Sequence, residues 1–238
     1  MPVNGKHLLH LVPHGINSNE FRVLESNNSL IQKIKKELLG DGDYNFIVSF
    51  NSRNAHRKHP ANLILAFRTF CDSLTKEEAS KCALVMHTDK VCEAGTDLIA
   101  TIDAICPDYK VVLSEARWSP DEMCAFYNLS DVLANVSSNE GFGLSVAEAI
   151  MCGTPIIATV TGGMQDQMRF EFEDGTWIDF DADFPSNHRG TYKKHGKWAF
   201  PVYPTNSSIQ GSPQTPYIFD DRCRWEDAAE RLLEVYNL

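Results

Sequence analysis

Short apolar runs alternate along the chain with longer segments whose apolar positions recur at helical spacing. The pattern predicts strands at His7–Val12, Asn45–Phe50, Cys82–Met86, Lys110–Leu113, Asp131–Val136 and Pro155–Thr159. Between them it predicts helices at Ala61–Cys71, near Thr96–Ile105, and at Pro120–Leu129 and Leu144–Cys152, with Trp225–Tyr236 closing the chain as an amphipathic helix. Alternation of this kind implies an α/β class with a doubly wound parallel sheet and helices on both faces. In such sheets ligands sit beyond the carboxyl ends of the strands. The loops to search are therefore Asn51–Pro60, His87–Cys92, Ser114–Ser119, Ser137–Gly143 and Val160–Gln165.

One boundary is sharply marked. Ser119-Pro-Asp-Glu122 offers a serine cap, a proline at the first helical position and a glutamate three residues after the cap, so a helix starts just after Trp118. After Met168 the pattern changes. Residues Met168–Cys223 are rich in aromatic, Pro, Gly, Asn and Asp residues and carry no long periodic segment, which makes this an irregular extension on a core of 7–168. A structureless stretch of that length is unusual within a domain, so short strands, a ligand-facing lid or an interaction surface are expected. Trp177, Tyr192, Trp198 and Tyr203 either stack on a sugar or build a small satellite core, and the core reading is preferred. No internal repeat is present.

Composition narrows the class. With 238 residues, 43% of them hydrophobic, the chain can bury a substantial core without disulfides or metal. A formal net charge of -10 argues against nucleic acid or an anionic membrane as a main partner and favours a small ligand. The seven cysteines are odd in number, form no CxxC pair and read as reduced core residues, and the eight histidines show no ligand spacing, so no metal site is expected. No signal peptide and no membrane-spanning apolar segment stand out, and a cytoplasmic location is expected.

The chemistry concentrates in Val136–Gly163, VSSNEGFGLSVAEAIMCGTPIIATVTGG. A strand leads here into a glycine-bearing turn, Gly141 and Gly143, and then into an apolar helix. The first amides of a helix lack intrahelical partners and lie at the positive end of its dipole, so this turn can cradle a phosphate. Glu148 stands among Leu144, Val146, Ala147, Ala149, Ile150 and Met151 on a helix expected to be buried on most faces. Its carboxylate is then either tied to an internal Arg or Lys or hydrogen-bonded to ligand hydroxyls. Glu140, one residue before the turn, has no obvious structural duty. The loop FNSRNAHRKHP supplies Arg53, Arg57 and Lys58, the strongest basic cluster of an acidic chain. Arg53 and Lys58 can address one diphosphate, with Arg57 free to pair with a surface carboxylate.

Taken together, the Glu140-x7-Glu148 spacing, the GFGL turn, the AEAIMCGTPIIAT run, the Arg53-x4-Lys58 loop and Thr161-Gly162-Gly163 resemble the donor-binding half of retaining glycosyltransferases of family 4, with the GT-B fold. The resemblance covers roughly Val12–Met168. It implies a Rossmann-like domain, the C-terminal half of a GT-B enzyme, that binds a nucleotide-diphosphate sugar. By resemblance, Arg53, Lys58 and Glu140 form the catalytic group, with Arg53 and Lys58 on the diphosphate and Glu140 on the sugar hydroxyls. Gly141, Phe142, Gly143 and Leu144 approach sugar and phosphates, Glu148 takes the ribose hydroxyls, and Ser114–Trp118 lies near the base. The family generally needs no divalent metal, so no cofactor is expected, and basic side chains with helix amides would stabilise the departing diphosphate. Val12-Pro-His-Gly-Ile-Asn17 resembles the segment that opens the family's second domain. An N-terminal acceptor domain is accordingly expected to be absent here and supplied by another chain or by a portion outside this sequence, with a homo-oligomer as a further candidate partner; the acceptor, a glycan, lipid or protein, stays open.

Three functions compete: a glycosyltransferase or its donor half, a non-catalytic nucleotide-sugar-binding or assembly module, and a glycoside hydrolase using Glu140 and Glu148. The last is weakest, because two carboxyl groups flanking a glycosidic bond leave the basic loop and the phosphate cradle without a purpose.

Overall fold

The strand Phe46–Asn51 is mostly apolar and buried on both faces at every position but the last, so helices must cover it from both sides. The computed structural model describes Val12 and residues 14–179, 194–211, 213 and 217–238. In chain order these hold α1 (Ser29–Leu39), β1 (Phe46–Asn51), a 3-10 turn (His56–Lys58), α2 (Pro60–Asp72), α3 (Lys76–Ser80) and β2 (Cys82–His87). There follow α4 (Leu98–Ile105), β3 (Lys110–Ser114), α5 (Pro120–Leu129), β4 (Val132–Asn135), α6 (Leu144–Met151), β5 (Ile156–Thr159) and α7 (Met164–Gln167). The last elements are β6 (Ala199–Val202), β7 (Asn206–Gln210), β8 (Ile218–Arg222) and α8 (Trp225–Tyr236).

Six strands form one parallel sheet in the order β3-β2-β1-β4-β5-β6. This is the doubly wound, Rossmann-like order, in which the chain builds outward from β1, returns to β4 on its other side and builds outward again. The reversal leaves a crevice at the carboxyl ends of β1 and β4. On one face Phe46, Val48 and Phe50 join Leu63, Phe67 and Leu232 of α2 and α8. On the other, Ile47, Ala83 and Val85 pack with Ile31, Ile34, Phe126 and Val146 of α1, α5 and α6.

The elements predicted from apolar periodicity between Asn45 and Thr159, and the closing helix, are present, with ends moved by a residue or two. At α5 the capping box forms as its sequence dictates: the Glu122 amide donates to Ser119 Oγ at 3.3 Å and the Ser119 amide to the Glu122 carboxylate at 3.0 Å. α1 is not among the predicted helices. Its sequence carries a clear signal nonetheless: Leu30, Ile31, Ile34, Leu38 and Leu39 recur at helical spacing, the Asn28 side chain caps its first turn, and the apolar stripe packs on α5. The predicted strand at His7–Val12 falls, Val12 apart, outside the described residues.

Of the alternatives expected after Met168, the short strands are present, and the core extends beyond its expected end at residue 168. β6 pairs in register with β5 (Ile156 with Ala199, Thr159 with Val202), so the sheet core does not stop at residue 168. β7 and β8 form a separate antiparallel hairpin. Thr161 Oγ1 donates to the Asp221 carboxylate at 2.8 Å, Ser207 Oγ to its other oxygen at 2.6 Å, and the Asp221 amide to the Ser138 carbonyl at 2.8 Å. The late hairpin is thereby pinned to the β4–α6 loop.

Candidate functional site

At the crevice lies a cavity of about 610 Å³. The end of β1 and its following loop contribute Asn51, Ser52, Arg53 and Lys58; β2 and β3 contribute His87, Thr88, Ser114 and Glu115; the β4–α6 turn contributes Glu140, Phe142–Ser145 and Glu148. Four of the five loops expected to carry function meet here. The fifth, Val160–Gln165, lines none of it and acts from beneath.

Glu140 has a structural duty after all. It accepts from Lys58 Nζ, from Arg57 Nη1 at 3.2 Å and from Ser137 Oγ at 3.2 Å, with only 8% of its side chain exposed. Arg57 therefore does not pair with a surface carboxylate as expected: its guanidinium turns inward to Glu140 and to the Asn139 carbonyl at 2.8 Å. Burial raises the Glu140 carboxyl, but Lys58 and Arg57 more than offset this and hold it below its ordinary value, so it is ionised. Lys58 is lowered because burial outweighs the attraction of Glu140. Arg53 differs from both. It is exposed, lines the cavity and has no carboxylate partner among the described residues.

The glycine turn is shaped by close approach. Gly143 sits at the N-cap of α6 with φ +86°, a left-handed conformation that spares the turn any side-chain strain and leaves the first amides of the helix uncapped by a side chain. Gly162, at φ +52°, lies under the loop, and a Cβ there would stand 1.8 Å from the Glu140 carbonyl oxygen. The Gly163 amide donates to that same carbonyl at 3.2 Å. Thr161-Gly162-Gly163 is thus the floor on which Glu140 is set.

Glu148 meets neither an Arg nor a Lys among the described residues. Its Oε2 accepts from the Tyr127 hydroxyl at 2.6 Å, and burial raises its carboxyl above the ordinary value against that hydrogen bond. α6 is less enclosed than its sequence suggests: Val146, Ala147 and Ala149 are buried, whereas Leu144 and Met151 are exposed. At its N-terminal end the open side of the helix, Leu144, Ser145 and Glu148, borders the cavity.

Of the expected site residues, Arg53, Lys58, Glu140, Phe142, Gly143, Leu144 and Glu148 converge on the cavity; Gly141 is exposed and outside its lining. From the loop expected near a base, Ser114, Glu115 and Ala116 line the wall, and Trp118 stacks on His87 with ring centroids 4.4 Å apart. Asn51, His87 and Thr88, inside two of the loops expected to carry function but not singled out there, also line the cavity, and Tyr127 behind them lies outside every expected loop. The last had a signal, since a tyrosine in the apolar helix AFYNL needs a partner for its hydroxyl. Among the late aromatics, Trp198 and Tyr203 pack on the α1/α5/α6 core rather than a satellite one. Trp177 is half exposed under the Arg169 guanidinium, none of these three lines the cavity, and Tyr192 lies outside the described residues.

No group of three or more His, Cys, Asp or Glu side chains able to hold a metal ion occurs among the described residues. Nor, among them, is any helix long and apolar enough to cross a membrane.

Comparison with known proteins agrees with this geometry. The sequence model for "Glycosyl transferases group 1" matches residues 31–183. A D-inositol 3-phosphate glycosyltransferase of Salinispora arenicola is 27% identical over 165 residues, covering 67% of this chain and 36% of that protein. The chain thus spans about a third of the length of that relative. Among solved structures, sucrose-phosphate synthase from Thermosynechococcus elongatus matches with a TM-score of 0.59 at 17% identity, over 96% of this chain and 43% of that one. Anabaena HepE, solved with UDP and glucose, also has a TM-score of 0.59, at 16% identity over 93% of this chain and 45% of that one. These structures share the fold, that of one half of a GT-B glycosyltransferase. With the family model matched over well more than half of its length, the chain belongs to the glycosyl transferases group 1 family.

Proposed function

We propose that the cavity binds a nucleotide-diphosphate sugar and that the chain is the donor half of a family 4 glycosyltransferase, transferring the sugar with retention to a glycan, lipid or protein acceptor. The carrying observation is convergence: Arg53, Lys58 and the open N-terminus of α6 meet at one cavity with two carboxylates, Glu140 and Glu148. Family membership and a fold relative holding UDP and glucose support the same reading.

In this reading Arg53 and Lys58 hold the diphosphate, and the first amides of α6 donate to phosphate or sugar oxygens. As the bond between the sugar and the diphosphate breaks, negative charge grows on the departing oxygen. Fixed cations and amides stabilise it without reorganising, which removes the need for a divalent metal. Glu140, held in place by Lys58 and Arg57, accepts from sugar hydroxyls, and Glu148 accepts from the ribose. The free cysteines suit a reducing compartment, and the reaction is assigned to the cytoplasm. The acceptor side is completed by an N-terminal domain or a partner chain.

Calorimetric titration with UDP- and GDP-sugars tests the reading. Saturable binding to one of them is expected, weakened about tenfold or more in Arg53→Ala and in Glu148→Ala by loss of charge-assisted hydrogen bonds. Absence of binding to any nucleotide sugar, or variants indistinguishable from wild type, overturns it. Donor hydrolysis or transfer then separates an enzyme from a binding module.

A further inference from the structure

Behind the cavity wall runs a chain of three side chains from three elements. Asn51, the last residue of β1, donates from Nδ2 to the Tyr127 hydroxyl at 2.7 Å, and that hydroxyl donates to Glu148 Oε2 at 2.6 Å. Asn51 and Glu148 line the cavity; Tyr127, on α5, is fully buried and does not.

A phenol has one proton to give. Because the Asn51 amide N–H occupies a lone pair of the tyrosine oxygen, the proton is committed to Glu148. Burial pushes the Tyr127 phenol well above its ordinary value, and the neighbouring carboxylate adds to this, so it remains a donor throughout the neutral range. Glu148 Oε2 is thereby occupied, while Oε1 forms no hydrogen bond among the described residues. A carboxylate on a flexible side chain, with no cation to anchor it, would otherwise be free to rotate.

We propose that Tyr127 is a positioning residue: oriented by Asn51, it holds one oxygen of Glu148 so that the carboxylate presents the other to the ribose hydroxyls of the nucleotide. This rests on the reading of the cavity as a nucleotide site and adds to it the device that selects a ribonucleotide. A tyrosine that merely fills the core would leave that selection untouched.

The test compares UDP and GDP with their 2′,3′-dideoxy counterparts by calorimetry on the intact chain. Wild type is expected to prefer the ribonucleotide by about tenfold or more, the value of a hydrogen bond to a charged acceptor. Tyr127→Phe is expected to reduce that preference to roughly twofold while dideoxynucleotide affinity stays within about twofold of wild type, because only the ribose contact is lost. In a Glu148→Ala background the Tyr127→Phe change should cost no further affinity. Retention of the wild-type preference in Tyr127→Phe overturns the positioning role alone. Failure of wild type to bind any nucleoside diphosphate overturns the nucleotide reading and the positioning role with it.

Discussion

Lys58 and Glu140, 82 positions apart in the chain, form a buried ion pair at the mouth of the cavity, with both side chains 8% exposed. One comes from the turn after β1 and the other from the loop after β4, so the pair bridges the two halves of the sheet at the crevice. Breaking such a pair from one side leaves a buried charge without its partner.

Glu140→Gln is therefore expected to lower stability by roughly 3 kcal/mol at neutral pH. The sign with pH follows from its carboxyl being held below the ordinary value of 4.5. Its contribution is fully present above that value and is lost as pH falls through the folded-state value. Urea unfolding of both proteins should show a gap at pH 7 that narrows below about pH 4.5. A gap constant with pH would contradict an ionised, paired Glu140.

Gly162→Ala should disturb the site without touching any ligand. The added methyl would stand 1.8 Å from the Glu140 carbonyl oxygen, on a residue already at φ +52°. The β4–α6 loop must move, at a cost of about 2 kcal/mol or more from strain and contact together. Lower thermal stability and weaker nucleotide-sugar binding are expected together; unchanged binding would show that the floor does not set the loop.

Asp221→Ala tests whether the late hairpin belongs to the site. Asp221 is 1% exposed; its carboxylate accepts from Thr161 and Ser207, and its loss strands the buried Thr161 hydroxyl while the exposed Ser207 can turn to water. A loss of about 2–3 kcal/mol is expected. Hydrogen exchange should quicken in β7, β8 and the loop around Ser138, and protection unchanged at Ser138 would refute the coupling.

Arg53→Ala should behave in the opposite way. The side chain is exposed and bears no carboxylate partner among the described residues, so the melting temperature should stay within about 1–2 °C. Affinity for a nucleoside diphosphate should fall and become less sensitive to salt, because a cation facing the phosphates is gone. Unchanged affinity would remove Arg53 from the diphosphate site.

Much of this was written locally. The capping box at Ser119, the buried strands and the glycine turn into α6 depend on residues a few positions apart, and their periodicity and chemistry fix α/β class, loop positions and the residues Arg53, Lys58, Glu140 and Glu148. The spacing also carried the family. Partners were another matter. That Glu140 is locked by Lys58 and Arg57, that Glu148 answers to a tyrosine rather than a cation, and that Gly162 supports the loop at Glu140 all depend on contacts between segments apart in the chain. Strand order decides those contacts, and it is set by which faces can be buried together, a property of the whole chain. The segment after Met168 shows the same division: its sequence lacks periodicity, yet β6 completes the sheet, because the exposed edge of β5 offers backbone partners that only the assembled fold provides.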